Sequence, residues 1–389
     1  MTLNEALNNK KDILENTDFN PYYKLLNSGL SDKILIENEK FINLAANNYL
    51  GLADDIRIKD AVKEGIDKYG VSLCGTPIAV GYSEIANKLE KKIAKFVGVE
   101  DCIILPSCYQ ANNGLFQVIA EKNDIIVFDH YVHSSLLQGI QSANCKNRAF
   151  LHNDMEHLET ILSKSEKYEK IWVVTESVFS TEGTIAPLKS MVELCKKYNA
   201  QMIVDDSHGI GVIGEKGRGI LEHSGVMEEN VIYTASLGKA ISNLGGVVGG
   251  KKETIDFLRY YFPHLIYSTA LPPMIMFGIN KVIEIIEEDF DAINEKIWRY
   301  KKIIGEALRN AGFDIVDSES PINSIKGGDK ITTINIAKKF YEKGVLVTPF
   351  VEPSVPTNEG RVRMIAGANL TDETIKELVG IIGEMKCHI

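Results

Sequence analysis

The feature that most constrains this chain is a regular alternation of short apolar runs with helix-length segments between about residues 50 and 280. Runs that are nearly continuous in apolar residues predict strands buried on both faces of a sheet. Helices between consecutive strands are typical of a parallel sheet covered on both faces, so the predicted fold class is α/β. The runs are 102–106, 124–129, 170–177, 201–207 and 230–236, and the segments are 83–97, 112–121, 155–165 and 188–198.

Two further regions flank this alternating part. Residues 1–46 are predicted to be an N-terminal arm with a short hairpin around 37–39, and 47–280 are predicted to be a large domain. The remaining residues, 281–389, are predicted to form a smaller C-terminal α+β domain. A long helical pattern leads into this domain: it runs from residue 274 to residue 289, is interrupted there and resumes to about residue 311. The later predicted strands are 331–336, 344–349 and 361–367, and the later helices are 337–343 and 371–385.

Composition and charge exclude several classes of protein. The 389 residues include 43 Lys and Arg against 53 Asp and Glu, which gives a net charge of −10. An acidic chain repels phosphate backbones, so no nucleic-acid partner is expected. No apolar run reaches the roughly 18–20 residues that a membrane span requires, so no membrane partner is expected. The polar start of the chain lacks the apolar core of a secretory signal, which predicts a cytoplasmic location.

Polar clusters follow the apolar runs at the points where the predicted strands end. In open α/β sheets, ligands bind beyond the carboxyl ends of the strands. Several clusters at one edge of the sheet therefore predict one large cofactor pocket. The clusters are SCYQAN, DHYVHSS, ESVFSTEG, DDSHG and ASLGKA.

Lys239 is the residue on which the functional prediction depends. It follows a predicted strand among small residues, where a lysine is a poor structural choice but a good nucleophile toward an aldehyde cofactor. Pyridoxal 5′-phosphate requires such a lysine, a carboxylate beside its ring nitrogen, an aromatic face and a phosphate cradle. Lys239, Asp205, His133 and the turn at 107–112 can supply all four.

Each of these features also has a plain structural interpretation. A single lysine is most often a solvated surface charge, and the Asp205–Asp206 pair can bind Mg²⁺ or cap a helix. Tyr233 and Ala240 break the GxxxxGK[ST] pattern, so a P-loop is not predicted. The glycine-rich stretch 211–219 is predicted to be a turn. The six cysteines lack CxxC spacing, so no metal site is predicted.

Taken together and in order, seven motifs resemble those of the α-oxoamine synthases. This family consists of pyridoxal-phosphate enzymes of aminotransferase fold type I, in which a mostly parallel sheet is joined to a smaller C-terminal α+β domain. The resemblance covers nearly the whole chain and is densest between residues 47 and 273. The motifs are NNYLGL (47–52), GYSEIANKLE (81–90), VFSTEGTIAPL (178–188), VDDSHGIGVIGEKGRG (204–219), SLGKA (236–240), IYSTALPP (266–273) and RVR (361–363).

The resemblance implies roles for the polar residues of the predicted pocket. Lys239 would bind the cofactor covalently and later move the proton at the Cα of the amino acid. Asp205 would pair with the ring nitrogen. His133 would lie against the ring face and reach the carbonyl of the incoming thioester. His208 would hydrogen-bond the phenolic oxygen of the cofactor, aided by Ser180.

The resemblance also implies where the cofactor phosphate lies. The amides of Cys108 and Tyr109 would hold it at the start of a helix, where the helix dipole favours an anion. Ser236 would add a hydroxyl. Ser268 and Thr269 would reach the phosphate from a neighbouring subunit, so a homodimer with shared active sites is expected.

The implied substrates are a small amino acid and an acyl thioester, carried by coenzyme A or by an acyl-carrier protein. Arg363 would bind the amino-acid carboxylate through two hydrogen bonds, with Asn47 beside it. The implied reaction is an acyl transfer that joins the two substrates and releases the thiol and CO₂. An aminotransferase or aldolase of the same fold would share Lys239 and Asp205 and stays an alternative.

Within the family, the segments 81–90 and 266–273 are most similar to the branch that condenses L-alanine with a pimeloyl thioester, the 8-amino-7-oxononanoate synthases. The alternatives are a glycine C-acetyltransferase and a synthase of a secondary pathway with another acyl donor. Three positions depart from the family pattern: Cys108 where glycine is usual, Ala86 where histidine is frequent, and Pro77 where arginine is common. Most such departures lie on the acyl side, so the amino-acid chemistry is predicted to be intact.

Overall fold

A computed structural model of the protein describes residues 13–227 and 229–385, in which strands and helices alternate. The strands are β1 (Lys33–Ile36), β2 (Glu39–Asn43), β3 (Asp101–Leu105), β4 (Ile125–Asp129), β5 (Lys146–Phe150), β6 (Ile171–Glu176), β7 (Gln201–Asp205), β8 (Val231–Ser236), β9 (Gly246–Gly250), β10 (Ile322–Gly328), β11 (Val345–Leu346), β12 (Thr348–Phe350) and β13 (Gly360–Ile365). The helices are α1 (Ile56–Tyr69), α2 (Glu84–Val97), α3 (Cys108–Ile119), α4 (Ser134–Ser142), α5 (Met155–Leu162), α6 (Leu188–Lys197), α7 (Ile220–His223), α8 (Lys252–Tyr261), α9 (Pro263–Ile266), α10 (Pro273–Asn310), α11 (Lys330–Glu342) and α12 (Asp372–Glu384).

The centre of the protein is a seven-stranded sheet in the order β3-β9-β8-β7-β6-β4-β5. Neighbouring strands from β8 to β5 are parallel, whereas β9 is antiparallel to both β8 and β3. The predicted mostly parallel sheet is therefore confirmed. All five predicted strands are present in it, because each is long enough and apolar enough to be buried on both sides.

The two faces of the sheet contribute to separate hydrophobic clusters. Ile103 and Ile126 belong to one cluster, and their chain neighbours Ile104 and Val127 belong to the other. Successive side chains of a strand point to opposite faces, so a continuous apolar run fills both clusters at once. This explains why the runs predicted in the sequence have no polar alternation.

Two strands of the central sheet were not predicted, because neither has the apolar, glycine-poor sequence that is typical of a buried strand. The edge strand β5 has the sequence KNRAF, and its first four residues are exposed. The strand β9 has the sequence GVVGG, in which glycine suppresses the strand signal. At Gly246 an added Cβ would lie only 2.3 Å from the backbone nitrogen of Cys108, so the close approach of β9 to α3 requires glycine.

The predicted hairpin near the N-terminus is present. Strands β1 and β2 are antiparallel, and Glu37 and Asn38 between them have φ values of 50° and 69°, as a tight two-residue hairpin turn requires. Strand β2 also pairs in parallel with β11, so this part of the predicted arm packs on the C-terminal region. The domain bounds 1–46, 47–280 and 281–389 stay a prediction.

Helix α10 connects the two main cores of the protein. It is one continuous helix of 38 residues, so the predicted interruption after Asp289 is wrong. Ile279 and Ile286 in its first half belong to the same hydrophobic cluster as Ile104 and Val127 of the central sheet. Tyr300 and Ile304 belong to the core of the C-terminal region. The helix therefore contributes apolar side chains to both cores and joins the two regions.

The predicted strand 331–336 is also wrong, since these residues lie in helix α11. Thr333, Ile334, Ala337 and Phe340 are the buried residues of this helix, and their spacing follows the helical period rather than the alternation of a strand. The strand of this region is β10, and it pairs with β13. The predicted strands near 344–349 and 361–367 are present as the short β11 and β12 and as β13.

Asp329 gives a test of why α11 is a helix. Its carboxylate accepts hydrogen bonds from the Thr332 amide at 3.0 Å and from the Thr332 hydroxyl at 2.7 Å, as an N-cap residue does. We expect Asp329→Ala to lower the free energy of unfolding by about 1 kcal/mol, whereas Asp329→Ser keeps most of it. Denaturant unfolding of the two variants measures the difference, and equal losses would show that the cap is not the cause.

Candidate active site

A cavity of about 250 Å³ lies at the carboxyl-end edge of the central sheet. Residues that follow β3, β4, β6, β7 and β8 line it together, as the polar clusters in the sequence predict. The sheet order explains the convergence, because parallel strands deliver their carboxyl ends to one edge. The predicted site residues in this lining are Lys239, Asp205, His208, His133, Cys108, Tyr109 and Ser236.

Asp205 ends β7 and is almost fully buried, with 5% of its surface exposed. Its Oδ2 accepts a hydrogen bond from Asn112 Nδ2 at 2.6 Å, and its Oδ1 accepts one from the Ser207 amide at 2.9 Å. The Cys108 sulfur lies 3.9 Å from Oδ2. A buried carboxylate needs such donors, and these fix its orientation at the cavity.

Helix α3 begins at the cavity wall. Ser107 is its N-cap and accepts from the Gln110 amide at 3.2 Å, so the first turn, with Cys108 and Tyr109, lies at the cavity. The first N–H groups of a helix have no partners within the helix, and the helix dipole makes this end positive. Cys108 does not have a positive φ, so the turn accepts the Cβ of this residue.

The Cys108 side chain points to the Asp205 side of the cavity. The Ser207 hydroxyl donates to the Cys108 sulfur at 3.5 Å. Burial, together with the nearby Asp205 charge, raises the pKa of this thiol well above its usual range. The thiol is therefore protonated and is a third donor near the carboxylate.

Lys239 lies in the turn between β8 and β9, where its carbonyl accepts from the Ser242 amide at 2.9 Å. Within the described ranges its amine forms neither a hydrogen bond nor an ion pair. Burial lowers the pKa of the Lys239 amine, and the Asp205, Cys108 and Glu176 side chains oppose this shift. The amine is thus available as a neutral nucleophile or base at lower pH than an ordinary lysine.

His208 is held in place by a contact with Tyr49. The Tyr49 hydroxyl and His208 Nδ1 are 2.8 Å apart, and the two rings meet edge to face. Burial lowers the pKa of His208 well below its usual value, and the positive charges of Lys239 and Arg363 add to the effect. His208 is therefore a neutral imidazole with one nitrogen already engaged.

His133 is the N-cap of α4 and lies between β4 and this helix. Its amide donates to the Glu176 carboxyl, and its Nδ1 lies 2.8 Å from the Ser135 hydroxyl. Burial, together with the Asp205 charge, raises the pKa of Glu176 well above its usual value. Burial and the Lys239 charge lower the pKa of His133, whereas Asp205 raises it.

Arg363 lies on β13 of the C-terminal region, and 5% of its surface is exposed. One guanidinium nitrogen donates to the Ser180 carbonyl at 3.0 Å, and the group lies 4.9 Å from the centre of the Phe350 ring. Its Nε is buried without a partner, and no ion pair neutralises Arg363 within the part of the chain that the structure describes. Such a group is well suited to bind an anionic ligand.

The remaining predicted residues, including Arg363, are not part of the cavity lining. Ser180 contacts Arg363 through its backbone carbonyl. Asn47 has a buried Oδ1 without a partner. The Ser268 hydroxyl lies 3.4 Å from the side-chain amide of Gln110 in the same chain, and Thr269 is exposed.

Five residues of the site were not singled out in the sequence. Asn112 and Ser207 bond to Asp205, Ser135 and Glu176 bond to His133, and Tyr49 bonds to His208. All five lie in motifs or clusters that the sequence marked. The signal that identifies them is their contact with a titratable partner, which only the folded chain provides.

Comparison with known proteins gives a consistent result. The model of the family described as aminotransferase class I and II matches residues 39–382. An 8-amino-7-oxononanoate synthase of Thermoanaerobacter pseudethanolicus is 37% identical over 357 residues, which is 91% of this chain and 90% of the relative.

Two solved structures show the same fold. A serine palmitoyltransferase of Sphingomonas wittichii matches with a TM-score of 0.90 and 26% identity, over 98% of this chain and 95% of that chain. An 8-amino-7-oxononanoate synthase of Francisella tularensis matches with a TM-score of 0.76 and 27% identity, over 88% and 97% of the respective chains.

The chain belongs to the aminotransferase class I and II family, and within it to the pyridoxal-phosphate-dependent α-oxoamine synthases, which are acyltransferases. The predicted fold type I and the predicted family are confirmed. The cavity fits the cofactor on its own geometry: the Lys239 amine has no partner in the described chain, a carboxylate faces the same space, and a helix N-terminus borders it.

Among the described residues, no helix combines the length and the apolar character needed to cross a bilayer. No group of three or more His, Cys, Asp or Glu side chains among them is arranged to hold a metal ion.

Asn112 provides a test of how Asp205 is held. We expect Asn112→Ala to raise the dissociation constant of pyridoxal phosphate roughly 10- to 100-fold, because a buried carboxylate loses its shortest hydrogen bond. Gln117→Ala, an exposed position on the same helix, is the matched control. Titration of the apoprotein with the cofactor measures both constants, and an unchanged constant for Asn112→Ala would show that Asp205 is positioned without it.

Proposed function

We propose that the protein condenses L-alanine with a pimeloyl thioester and releases the thiol and CO₂, as an 8-amino-7-oxononanoate synthase. The observation that carries the proposal is the buried Lys239 amine, without a partner in the described chain, in a cavity that it shares with Asp205 and two neutral imidazoles. The name shared by the curated relatives supports the choice of substrates. The roles of the residues below are part of the same proposal.

Pyridoxal phosphate, when bound, supplies an aldehyde for amine exchange and a ring that withdraws electrons from the Cα of the amino acid. Asp205 would hold a proton at the ring nitrogen, because an ionised carboxylate favours a cationic partner. The amides of Cys108 and Tyr109 and the Ser236 hydroxyl would bind the phosphate. These groups would hold the cofactor in the cavity that Lys239 also lines.

Lys239 would carry the proton at the Cα atom of the bound amino acid. A base must be neutral to take that proton, and burial already favours the neutral form of this amine. The nearby carboxyl groups keep the amine within range of protonation, so it can later return a proton. One side chain can thus perform both transfers.

Arg363 would bind the carboxylate of the amino acid, with Asn47 beside it. The Nε of Arg363, which carries a donor N–H, is buried without a partner in the described residues. Burial strengthens an ionic hydrogen bond because little water competes for it. The carboxylate would therefore be oriented by the C-terminal region while the amine is oriented by Lys239.

His208 would hydrogen-bond the phenolic oxygen of the cofactor, with Ser180 nearby, and His133 would lie against the ring. Tyr49 supports this assignment, since it occupies His208 Nδ1 and leaves the other nitrogen for the cavity. His133 caps a helix through its side chain, which holds its ring at the cavity edge.

The acyl donor would approach between two segments that the structure brings together. The Ala270 amide donates to the Gly75 carbonyl at 3.0 Å, and an added Cβ on Gly81 would lie 2.6 Å from the Ala270 side chain. Pro77 begins a one-turn π-helix, Pro77–Gly81, between these contacts. The departures from the family pattern near Pro77 thus lie beside segment 266–273, and the thiol carrier would be coenzyme A or a carrier protein.

The proposed assembly is a homodimer in which Ser268 and Thr269 reach the phosphate of the neighbouring subunit. Large apolar side chains near these residues are exposed in the single chain: Val80 by 61% and Tyr267 by 84%. Clustered exposed apolar surface is typical of an interface. The proposed location is the cytoplasm, and the free state of the five described cysteines agrees with a reducing compartment.

A panel of amino acids and acyl thioesters tests the proposed function. We expect thiol release and a condensed product of the correct mass with L-alanine and a pimeloyl thioester. Lys239→Ala should lower this rate about 100- to 10,000-fold, since it removes the proton carrier. Lys251→Ala, an exposed lysine that pairs with Glu100, is the matched control and should keep the rate.

Other outcomes of the panel identify the alternatives. Turnover restricted to glycine and acetyl-coenzyme A would make the protein a glycine C-acetyltransferase, and turnover with another acyl donor would indicate a secondary-pathway synthase. Amino-acid turnover without thiol release would indicate an aminotransferase or aldolase. Borohydride reduction that leaves no pyridoxyl group on Lys239 would contradict the proposal itself.

Arg363 has its own test. We expect Arg363→Lys to raise KM for the amino acid roughly 10- to 100-fold, because a lysine cannot replace a guanidinium that binds a carboxylate through two hydrogen bonds. Arg148→Lys, at an exposed position on the edge strand β5, serves as the control. Steady-state kinetics at saturating acyl thioester give both constants, and an unchanged KM would place the carboxylate elsewhere.

A further inference from the structure

A continuous chain of hydrogen bonds runs behind the cavity from β8 to α4. The Thr234 hydroxyl donates to Asn112 Oδ1 at 2.8 Å. Asn112 Nδ2 is 2.6 Å from Asp205 Oδ2 and 3.0 Å from the Ser135 hydroxyl. The Ser135 hydroxyl is in turn 2.8 Å from His133 Nδ1.

The direction of these hydrogen bonds follows from the chemistry of their ends. An ionised carboxylate can only accept, so the Asn112 atom that faces Asp205 must be the NH₂ group. That group has two hydrogens, and the second points to the Ser135 oxygen. The Asn112 carbonyl then accepts from Thr234, which agrees with the observed contact. Asp205 therefore sets the orientation of the amide.

The hydrogen bond from Asn112 determines how the Ser135 hydroxyl can interact with His133. Its hydroxyl oxygen accepts from Asn112, so its own hydrogen is free to be donated to His133 Nδ1. The backbone N–H of Ser135, which can only donate, also points to Nδ1 at 3.2 Å. Two donors at one ring nitrogen require that this nitrogen carry a lone pair.

We propose that Ser135 is a positioning residue that, together with Asn112, holds His133 in the neutral tautomer with its proton on Nε2. The ring lines the cavity, and Nε2 forms no hydrogen bond within the described residues. Burial and the Lys239 charge lower the pKa of His133, which agrees with a neutral ring. The network thus presents one N–H donor to the cavity.

The role of this tautomer in the reaction rests on the proposed function. A His133 whose Nε2 carries a proton can donate a hydrogen bond to the carbonyl oxygen of an acyl thioester, but it cannot accept a proton at that nitrogen. Donors aimed at an oxygen that gains negative charge accelerate acyl transfer. Lys239 then remains the proton acceptor at the amino acid, and the two side chains have separate tasks.

Nitrogen-15 NMR of histidine-labelled holoenzyme near neutral pH tests the tautomer without any substrate. His133→Gln identifies the His133 signals by their loss. We expect the Nδ1 shift of an unprotonated nitrogen and the Nε2 shift of a protonated one. The reverse assignment in the wild-type protein would overturn the proposal, whether or not the variants fold and whatever the substrate panel shows.

The variants separate positioning from packing. Ser135→Ala keeps the backbone donor but removes the hydroxyl, so we expect a detectable fraction of the Nδ1-protonated tautomer and a fall in kcat of about 3- to 10-fold. KM for the amino acid should not change. Ser135→Thr restores the hydroxyl and should restore both readouts, and the exposed Ser134→Ala should match the wild type. A loss of kcat in Ser135→Ala with an unaltered tautomer would overturn the proposed role.

Discussion

The site depends on one buried carboxylate. Asp205 is removed from water at the end of β7, where an ionised group is costly unless donors surround it. Asn112 and the Ser207 amide provide these donors, and the protonated Cys108 thiol adds a third. Because Asn112 and Cys108 belong to α3 and Ser207 follows β7, the carboxylate ties together the first turns of α3 and the loop after β7. Through Asn112 and Ser135 the carboxylate is also linked to His133 at the cavity.

The fold makes that carboxylate possible. Strands β4, β6, β7 and β8 are parallel and neighbouring, so the residues that follow them reach one edge of the sheet. The single reversed strand β9 returns the chain from the Lys239 turn and approaches α3 so closely that Gly246 is required. Strand β13 of the C-terminal region carries Arg363, which donates to the Ser180 carbonyl in the loop after β6. A side chain from the second core thus contacts a loop of the central sheet.

The sequence was sufficient where a physical signal is local. The buried parallel strands, the hairpin at β1–β2 and the clusters at the strand ends all have patterns that a short window contains. It was insufficient where tertiary context decides. The segment 331–336 has the β-branched composition of a strand, yet the Asp329 cap and one buried face make it a helix. Asn112 and Ser135 resemble ordinary helix residues in sequence, because their importance lies in partners that are distant along the chain.

Two basic side chains without ion-pair partners in the described residues show how the protein divides stability from function. Lys239 and Arg363 have no acidic partners within the described residues, although exposed lysines and arginines of this chain often have them. A hydrophobic residue at either position would cost the folded protein less, since a basic group taken from water without a partner is destabilising whether it is charged or neutral. Lys239 follows a strand of the central sheet, and Arg363 lies on β13 of the C-terminal region. A ligand that binds both side chains must therefore connect these two regions. Binding free energy at such a site therefore also stabilises the native state, because the ligand binds the folded chain alone.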